Sequence, residues 1–288
     1  MTFRVVVHHL CLLLFTLLIC GLLGATLVRY APGFGAEERD LDARYSAESR
    51  TAFRLERERE ERIVPFYVQH LFGLLHGEFG RSRIFDQPVR ELLADRLPVT
   101  MRAVSLGLLT AWSASLLLAL PGVSRRRAWC DMAPSVLAGT LLSVPAALLG
   151  LAFFLMEWPA WAALTLVVFP RIFRYVRNLL EQSAAAPAVL QARAAGLREG
   201  RILLLYVILP VLPELLAVAG VSAGQAFSAA IPLEALCGVA GVGSLAWQAA
   251  LGRDLPLLIN VTMMVALIVL AANAIAEIAV TAVHRRAA

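Results

Sequence analysis

The sequence contains no lysine: all 26 of its cationic residues are arginine. That excludes a phosphate loop of the form GxxxxGK[ST] and a Schiff-base lysine, because both chemistries need the amine. Charged residues of both signs make up 16% of the chain, and there are four cysteines. Cys11 and Cys20 share one apolar run, where nine helical residues separate them by about 13 Å, beyond the ~7 Å that a disulfide spans. Cys130 and Cys237 fall in loops expected on opposite sides of a membrane, so the four read as small apolar packing residues rather than a disulfide framework. No HExxH, GxSxG elbow or paired carboxylates occur in the apolar runs. His70, His76 and Glu78 lack a metal-ligand spacing, and His8 with His9 reads as surface at a helix start.

What the sequence has in excess is apolar length. It is 59% hydrophobic over 288 residues, with a mean hydropathy of +0.73. Several runs approach the ~20 residues that cross a ~30 Å hydrocarbon core, which makes the chain an integral membrane protein. The runs do not alternate as barrel strands do, and a backbone in lipid must satisfy its own hydrogen bonds, so the expected fold is all-α and polytopic. A net charge of +5 and a pI near 9.4 fit arginine-marked cytoplasmic loops better than nucleic-acid binding.

Six spans are expected, with both termini cytoplasmic. Leu10 to Val28 exceeds the ~7–15 residues of a signal-peptide core, and Leu27 Val28 Arg29 Tyr30 is a poor cleavage site, so 1–28 is read as a retained first helix. Residues 29–97 form an external polar and interfacial segment. Its Glu37–Arg62 stretch pairs opposite charges at helical spacing, and Ile63 to Phe79 is suited to lie along the interface. Residues 98–288 form a five-helix core. Pro98 to Leu120 is its first span, ended by Pro121 and Gly122 and followed by Arg125, Arg126 and Arg127, a cytoplasmic mark. Ala133 to Met156 follows, kinked at Pro145. From Pro159 to about Leu180, Arg171, Arg174 and Arg177 either snorkel or face the protein interior. Ile202 to Ile231, an outer loop over Val239 to Leu255, and Pro256 to about Val283 complete the chain.

Between the fourth and fifth spans lies a polar island, Gln191 to Arg201, rich in Ala, Gly and Arg. Small side chains there let another protein approach the backbone, which points to a docking helix at about 184–201. In the spans, Glu214 and Gln225 on the fifth helix are candidates for lining a pathway, whereas Glu277 reads as interfacial. Gly220 and Gly224 form a small-xxx-small pair suited to close helix packing, against another subunit among other partners. Gly238, Gly241 and Gly243 make an irregular turn that belongs where protein covers it or where it lines a cavity, as a re-entrant gate or an ordinary surface loop.

Three stretches in order resemble one family, the permease subunits of the dipeptide, oligopeptide and nickel ATP-binding-cassette (ABC) importers. His76 Gly77 Glu78 Phe79 Gly80 Arg81 Ser82, then Pro88 Val89, then Leu97 Pro98 with Thr100, is similar to that family's GDLGxS, PV and LPxT. Ala192 Arg193 Ala194 with Gly196 Leu197 resembles its ARAKGL form of the EAA coupling loop. Glu234, Gly241 with Gly243, Leu245, Arg253 Asp254 with Pro256, and Asn273 resemble its E, PGxG, L, RDxP and N. The chain departs from the pattern at Ala195, where the family has Lys; at Leu190 and Gln191, where it has RT; at Ala240, in place of the Pro of PGxG; at Cys237, where an aromatic is common; and in lacking the closing DPRxR.

The resemblance implies a type I ABC importer transmembrane domain in a bacterial inner membrane. Its partners would be a second, similar permease, two ATPase subunits that bind ATP and Mg, an extracytoplasmic solute-binding protein and membrane lipid, with no nucleic acid. This chain itself would hold no cofactor and no metal, and would not be an enzyme. Ala192, Arg193, Ala194, Gly196, Leu197 and Arg198 would couple to the ATPase; Glu234, Gly241, Gly243, Arg253 and Asp254 would form the external gate or receive the binding protein; Asn273 would join Glu214 and Gln225 along the pathway. Peptides are the expected substrate, with nickel or a metal chelate as the alternative. The rival classes are an intramembrane hydrolase using Glu214 and Asp254 as its acids, and a structural membrane subunit.

Overall fold

The structure is a computed structural model that describes residues 15–16, 18–19, 21–24, 26, 63–125 and 128–287. The charged stretch 37–62 and the cysteines Cys11 and Cys20 lie outside the described residues, as does most of the expected first span. The described part of that first run is helical. Beyond it come α1 (Ile63–Leu75), α2 (Val89–Arg125), α3 (Ala128–Ser143), α4 (Ala146–Leu155), α5 (Ala160–Ala184), α6 (Pro187–Ala194), α7 (Glu199–Ile202), a π-helical segment (Leu203–Ile208), α8 (Leu212–Leu236), α9 (Val242–Leu251) and α10 (Leu255–Ala287).

Three of these are long and apolar enough to cross a membrane: Val89–Val123, Leu212–Leu236 and Leu255–Val283. The pair Met132–Ser143 and Ala146–Leu155, bent by 93°, makes a fourth if it is one broken span. The break falls at Pro145, where a kink was expected; Pro145 sits at the N-cap of α4 in an extended conformation that no helix interior tolerates. α5 is not among the apolar spans, because its arginines interrupt the run.

Several expected boundaries are corrected. α2 begins nine residues before Pro98 and runs through both Pro98 and Pro121, since one lost backbone bond does not end a helix that its neighbours hold. The fifth span is not continuous from Ile202, because the chain changes to a π-helix at Leu203 and restarts at Leu212. The outer loop is largely a helix, α9, and Glu234 is still inside α8.

The chain divides into two compact units, Met1–Leu97 with Leu245–Leu267, and Pro98–Ser244 with Ile268–Ala288. The second is organised around α5. Val168, Phe169, Ile172, Phe173, Val176 and Leu180 recur at helical spacing and are all buried, while Phe169 and Phe173 stack at 5.6 Å. On its other face Arg171 and Arg174 are exposed, and Arg177 pairs with Glu181 at 2.8 Å. Of the two placements open to the first two arginines, the interior one is therefore excluded. Polar side chains join the helices of this unit: the Thr110 and Thr165 hydroxyls meet at 2.7 Å, and Trp112 Nε1 donates to Ser222 Oγ at 3.1 Å. Such bonds hold helices together where lipid gives no hydrophobic drive for association.

The Gly220 and Gly224 pair packs within the chain. A Cβ added at Gly220 would collide with the Cβ of Ala276 on α10, and one at Gly224 would come within 3.1 Å of Val269 Cγ1. Gly220→Val should therefore push α8 from α10 and cost about 1–3 kcal/mol by overpacking. Thermal denaturation in detergent checks it, and an unchanged midpoint rules out this packing.

Candidate functional site

Helix ends position the candidate residues. Five helices among the described residues stop in one way, in which the residue after the cap takes a left-handed conformation and the N–H that follows it returns to the last turn, joined in all but α8 by the N–H of the left-handed residue itself. The left-handed residues are Gly77 after α1, Glu157 after α4, Gly196 after α6, Gly238 after α8 and Arg253 after α9.

After α6 the motif shapes the island. Leu197 N–H donates to Ala192 O at 3.2 Å and Gly196 N–H to Arg193 O at 2.9 Å, with Gly196 at φ 76°. Nothing would touch a Cβ at Gly196, so its requirement for glycine is conformational. Val189 and Ala192 face the core, while Leu190 (71% exposed), Gln191, Ala194 and Ala195 face out. Arg193 Nε and Nη2 reach Glu199 Oε1 and Oε2 at 3.0 and 3.2 Å, closing the turn from within the chain. Arg198 is exposed and caps α7, and Leu197 is half-buried. The outward face thus presents a leucine, a glutamine and two alanines, with Arg193 partly covered and Arg198 exposed beside it.

At the end of α8, Glu234 is 1% exposed. Its Oε2 accepts from Gly243 N–H at 2.7 Å, while Oε1 is buried without a partner among the described residues. Thr100 Oγ1 accepts from Val242 N–H at 2.8 Å, and Ser244 Oγ donates to Gly241 O at 2.9 Å. A Cβ at Gly241 would overlap the Glu234 carboxyl. Glu234, Gly241 and Gly243, linked in sequence by resemblance alone, therefore form one interlocked corner.

Asp254 and Arg253 belong to the other unit. Asp254 is fully buried, and its Oδ2 accepts from Ser82 Oγ at 2.6 Å, Arg83 N–H at 2.6 Å and Ile84 N–H at 3.2 Å. Oδ1 accepts from Leu257 N–H at 3.1 Å, the N-cap bond of α10. One carboxylate thus starts a helix and holds the 82–84 turn. Six residues on, the Asn260 amide nitrogen donates to Phe79 O at 2.8 Å and Pro256 O at 2.6 Å, and lies 3.2 Å from His70 Nε2. The two carbonyls take up both protons of the amide and so fix its orientation.

The remaining candidates do not converge. Glu214 is exposed in the first turn of α8, Gln225 is half-buried and Asn273 is exposed on α10. No hydrogen bond among the described residues joins them. Nor do the described residues hold any group of three His, Cys, Asp or Glu side chains that could bind a metal. Ser82, Thr100 and Asn260 carry bonds that sequence reasoning did not assign. A signal existed for Asn260, a polar residue inside an apolar run.

Long apolar helices, with buried polar side chains at several of their ends, define a multi-pass membrane protein. Residues 103–288 match the family described as the binding-protein-dependent transport system inner membrane component, and the chain belongs to that family. It is similar to the dipeptide transport system permease protein DppB of Lactococcus lactis, 26% identical over 223 residues, 71% of this chain and 73% of the relative. Two oligopeptide transport system permease proteins OppB are also similar. That of Escherichia coli K12 is 27% identical over 276 residues, 87% of this chain and 88% of its own; that of Haemophilus influenzae is 26% identical over 277, 88% of each. The chain is therefore an inner-membrane permease subunit of an ABC importer, of the type I transmembrane class.

Two predictions test the polar latches. Asp254→Ala takes the acceptor from three N–H groups, that of Leu257 buried and those of Arg83 and Ile84 partly so, and should cost about 2–4 kcal/mol, read as a lowered denaturation midpoint; no change would reject the latch. His70 is pushed below its ordinary value of 6.5 by burial, against the opposing hydrogen bond to Asn260. The unfolded chain then takes up a proton before the folded one, so stability is complete above the ordinary value and falls as the pH drops through the window beneath it. The midpoint should decline with acidification over that window in the parent and stay flatter in His70→Gln. Parallel curves would contradict a neutral buried His70.

Proposed function

We propose that the chain is the permease subunit of an importer for peptides, moving substrate by alternating access driven by partner ATPases. The observation that carries this is the α6 turn, a short helix closed by Gly196 that exposes Leu190, Gln191, Ala194 and Ala195, in a chain whose relatives are named dipeptide and oligopeptide permeases. α6 is the coupling helix and lies on the cytoplasmic side. Leu190, Gln191 and Ala194 supply the contact with the ATPase. Arg193 holds the turn through Glu199, and Ala192 packs beneath it. A second permease, two ATPases carrying ATP and Mg, and an extracytoplasmic solute-binding protein complete the assembly.

ATP binding draws the coupling helices together and turns the spans from inward-open to outward-open. On the opposite side, the Glu234, Gly241 and Gly243 corner and the Asp254 latch with Arg253 keep the irregular backbone around α9 covered, as a gate or a seat for the binding protein. Their hydrogen bonds make them structural clasps, with no role as acids. Glu214, Gln225 and Asn273 remain as residues along the pathway.

Gly196→Leu strains the left-handed turn by about 1–2 kcal/mol. In proteoliposomes holding the full transporter it should lower peptide uptake per ATP hydrolysed several-fold while the ATPase still co-purifies. Uptake at the parent ratio would sink the coupling role, and a parent chain that retains no ATPase would sink the whole reading.

A further inference from the structure

The chain leaving the coupling turn does not return to a regular helix at once. Leu203–Ile208 is wound as a π-helix, with Leu209 N–H donating to Leu204 O at 3.0 Å. Pro210 then has no N–H to give the Tyr206 carbonyl, and Pro213 none to give that of Leu209. Leu212 N–H turns to Leu209 O at 3.3 Å instead. A side chain from another helix meets the freed carbonyls: Ser183 Oγ donates to Val207 O at 2.9 Å, with Tyr206 O at 3.3 Å. Ser183 stands in the last turn of α5, just before the residues that lead into α6.

We infer that Ser183 is a positioning residue for energy coupling: its hydroxyl fastens the π-helical segment to α5, so that the coupling turn and α5 move as one body while Leu209–Val211 acts as the joint before α8. The inference rests on the reading that α6 contacts an ATPase. The loop that leaves α5 through α6 is pinned back to α5 at its base by Ser183, and its two limbs, α6 and α7, are joined nearer the tip by Arg193 with Glu199. A push at the exposed Leu190 face therefore reaches α5 without being lost in the return strand of the loop. Beyond the pin, Val211 has φ −96° and ψ 7°, outside the α-helical region, and two prolines leave the backbone there short of bonds, so bending concentrates at that point. A hydroxyl suits this task because its one proton can pass between the Val207 and Tyr206 carbonyls.

The test uses the full transporter with its ATPases in nanodiscs and proteoliposomes. Ser183→Ala should leave the ATPase bound and lower peptide uptake per ATP hydrolysed by roughly fivefold to tenfold, the scale of one net hydrogen bond. Ser183→Thr, which keeps the hydroxyl, should restore most of the ratio. Spin labels at the exposed positions Asn178 and Leu205 should show a broader distance distribution in Ser183→Ala than in the parent. Pro210→Ala, which gives Tyr206 O an N–H and stiffens the joint, should also lower the ratio with Ser183 intact, and it serves if Ser183→Ala does not assemble. A parent ratio in Ser183→Ala, or in Pro210→Ala where the former is lost, overturns the inference, as does an unchanged distance distribution. If the parent chain binds no ATPase, the reading above fails instead, and the distance measurement still decides whether Ser183 fastens the segment.

Discussion

Breaks in the helices leave N–H and C=O groups that lipid cannot satisfy, and at several of those among the described residues a side chain takes the bond. Glu234 takes the Gly243 N–H, Thr100 that of Val242, and Asp254 those of Arg83, Ile84 and Leu257. Asn260 and Ser183 donate to carbonyls left at Phe79, Pro256 and Val207. Some of the polar residues inside this apolar chain thus serve where the backbone changes direction, while others, such as Thr110 with Thr165, join helices at mid-length. Asp254 is the fullest case, since one carboxylate both starts α10 and anchors a turn 170 or more residues earlier.

The same principle changes what the acidic residues mean. Buried carboxylates in a membrane protein invite a catalytic or proton-carrying role. Here the two deepest are occupied by backbone donors, and the glycines around them are small because a carboxyl or a neighbouring backbone fills the space a side chain would need. The intramembrane hydrolase reading loses its acids on this geometry: Asp254 is committed to four donors, and Glu214 is exposed at a helix start.

The all-α class and the apolar spans were legible because both follow from composition and run length. The island was legible because Ala, Gly and Arg stand out between apolar runs, and its glycine proved to be the turn that closes it. Boundaries set by proline were not legible. Pro98 and Pro121 lie inside α2, whereas Pro145 stands at the N-cap where a helix breaks, so the residue type alone does not set the boundary. The partnerships of Ser82 with Asp254 and of Ser183 with Val207 were hidden for a similar reason, since sequence distance conceals which hydroxyl meets which group. Within the island, the pairing of Arg193 with Glu199 and the exposure of Leu190 and Gln191 were not legible either, since the sequence marks the last two only as departures from a motif.

Of the five left-handed helix ends, three carry glycine, but α4 and α9 end on Glu157 and Arg253. A residue with a side chain holds that conformation at a cost of about 1–2 kcal/mol, which glycine would not incur. At two corners, then, the protein gives up stability to keep a charge. These are the places where a sturdier version for biochemical work is within reach of a single substitution, and where the loss of the charge would show what it had been retained to do.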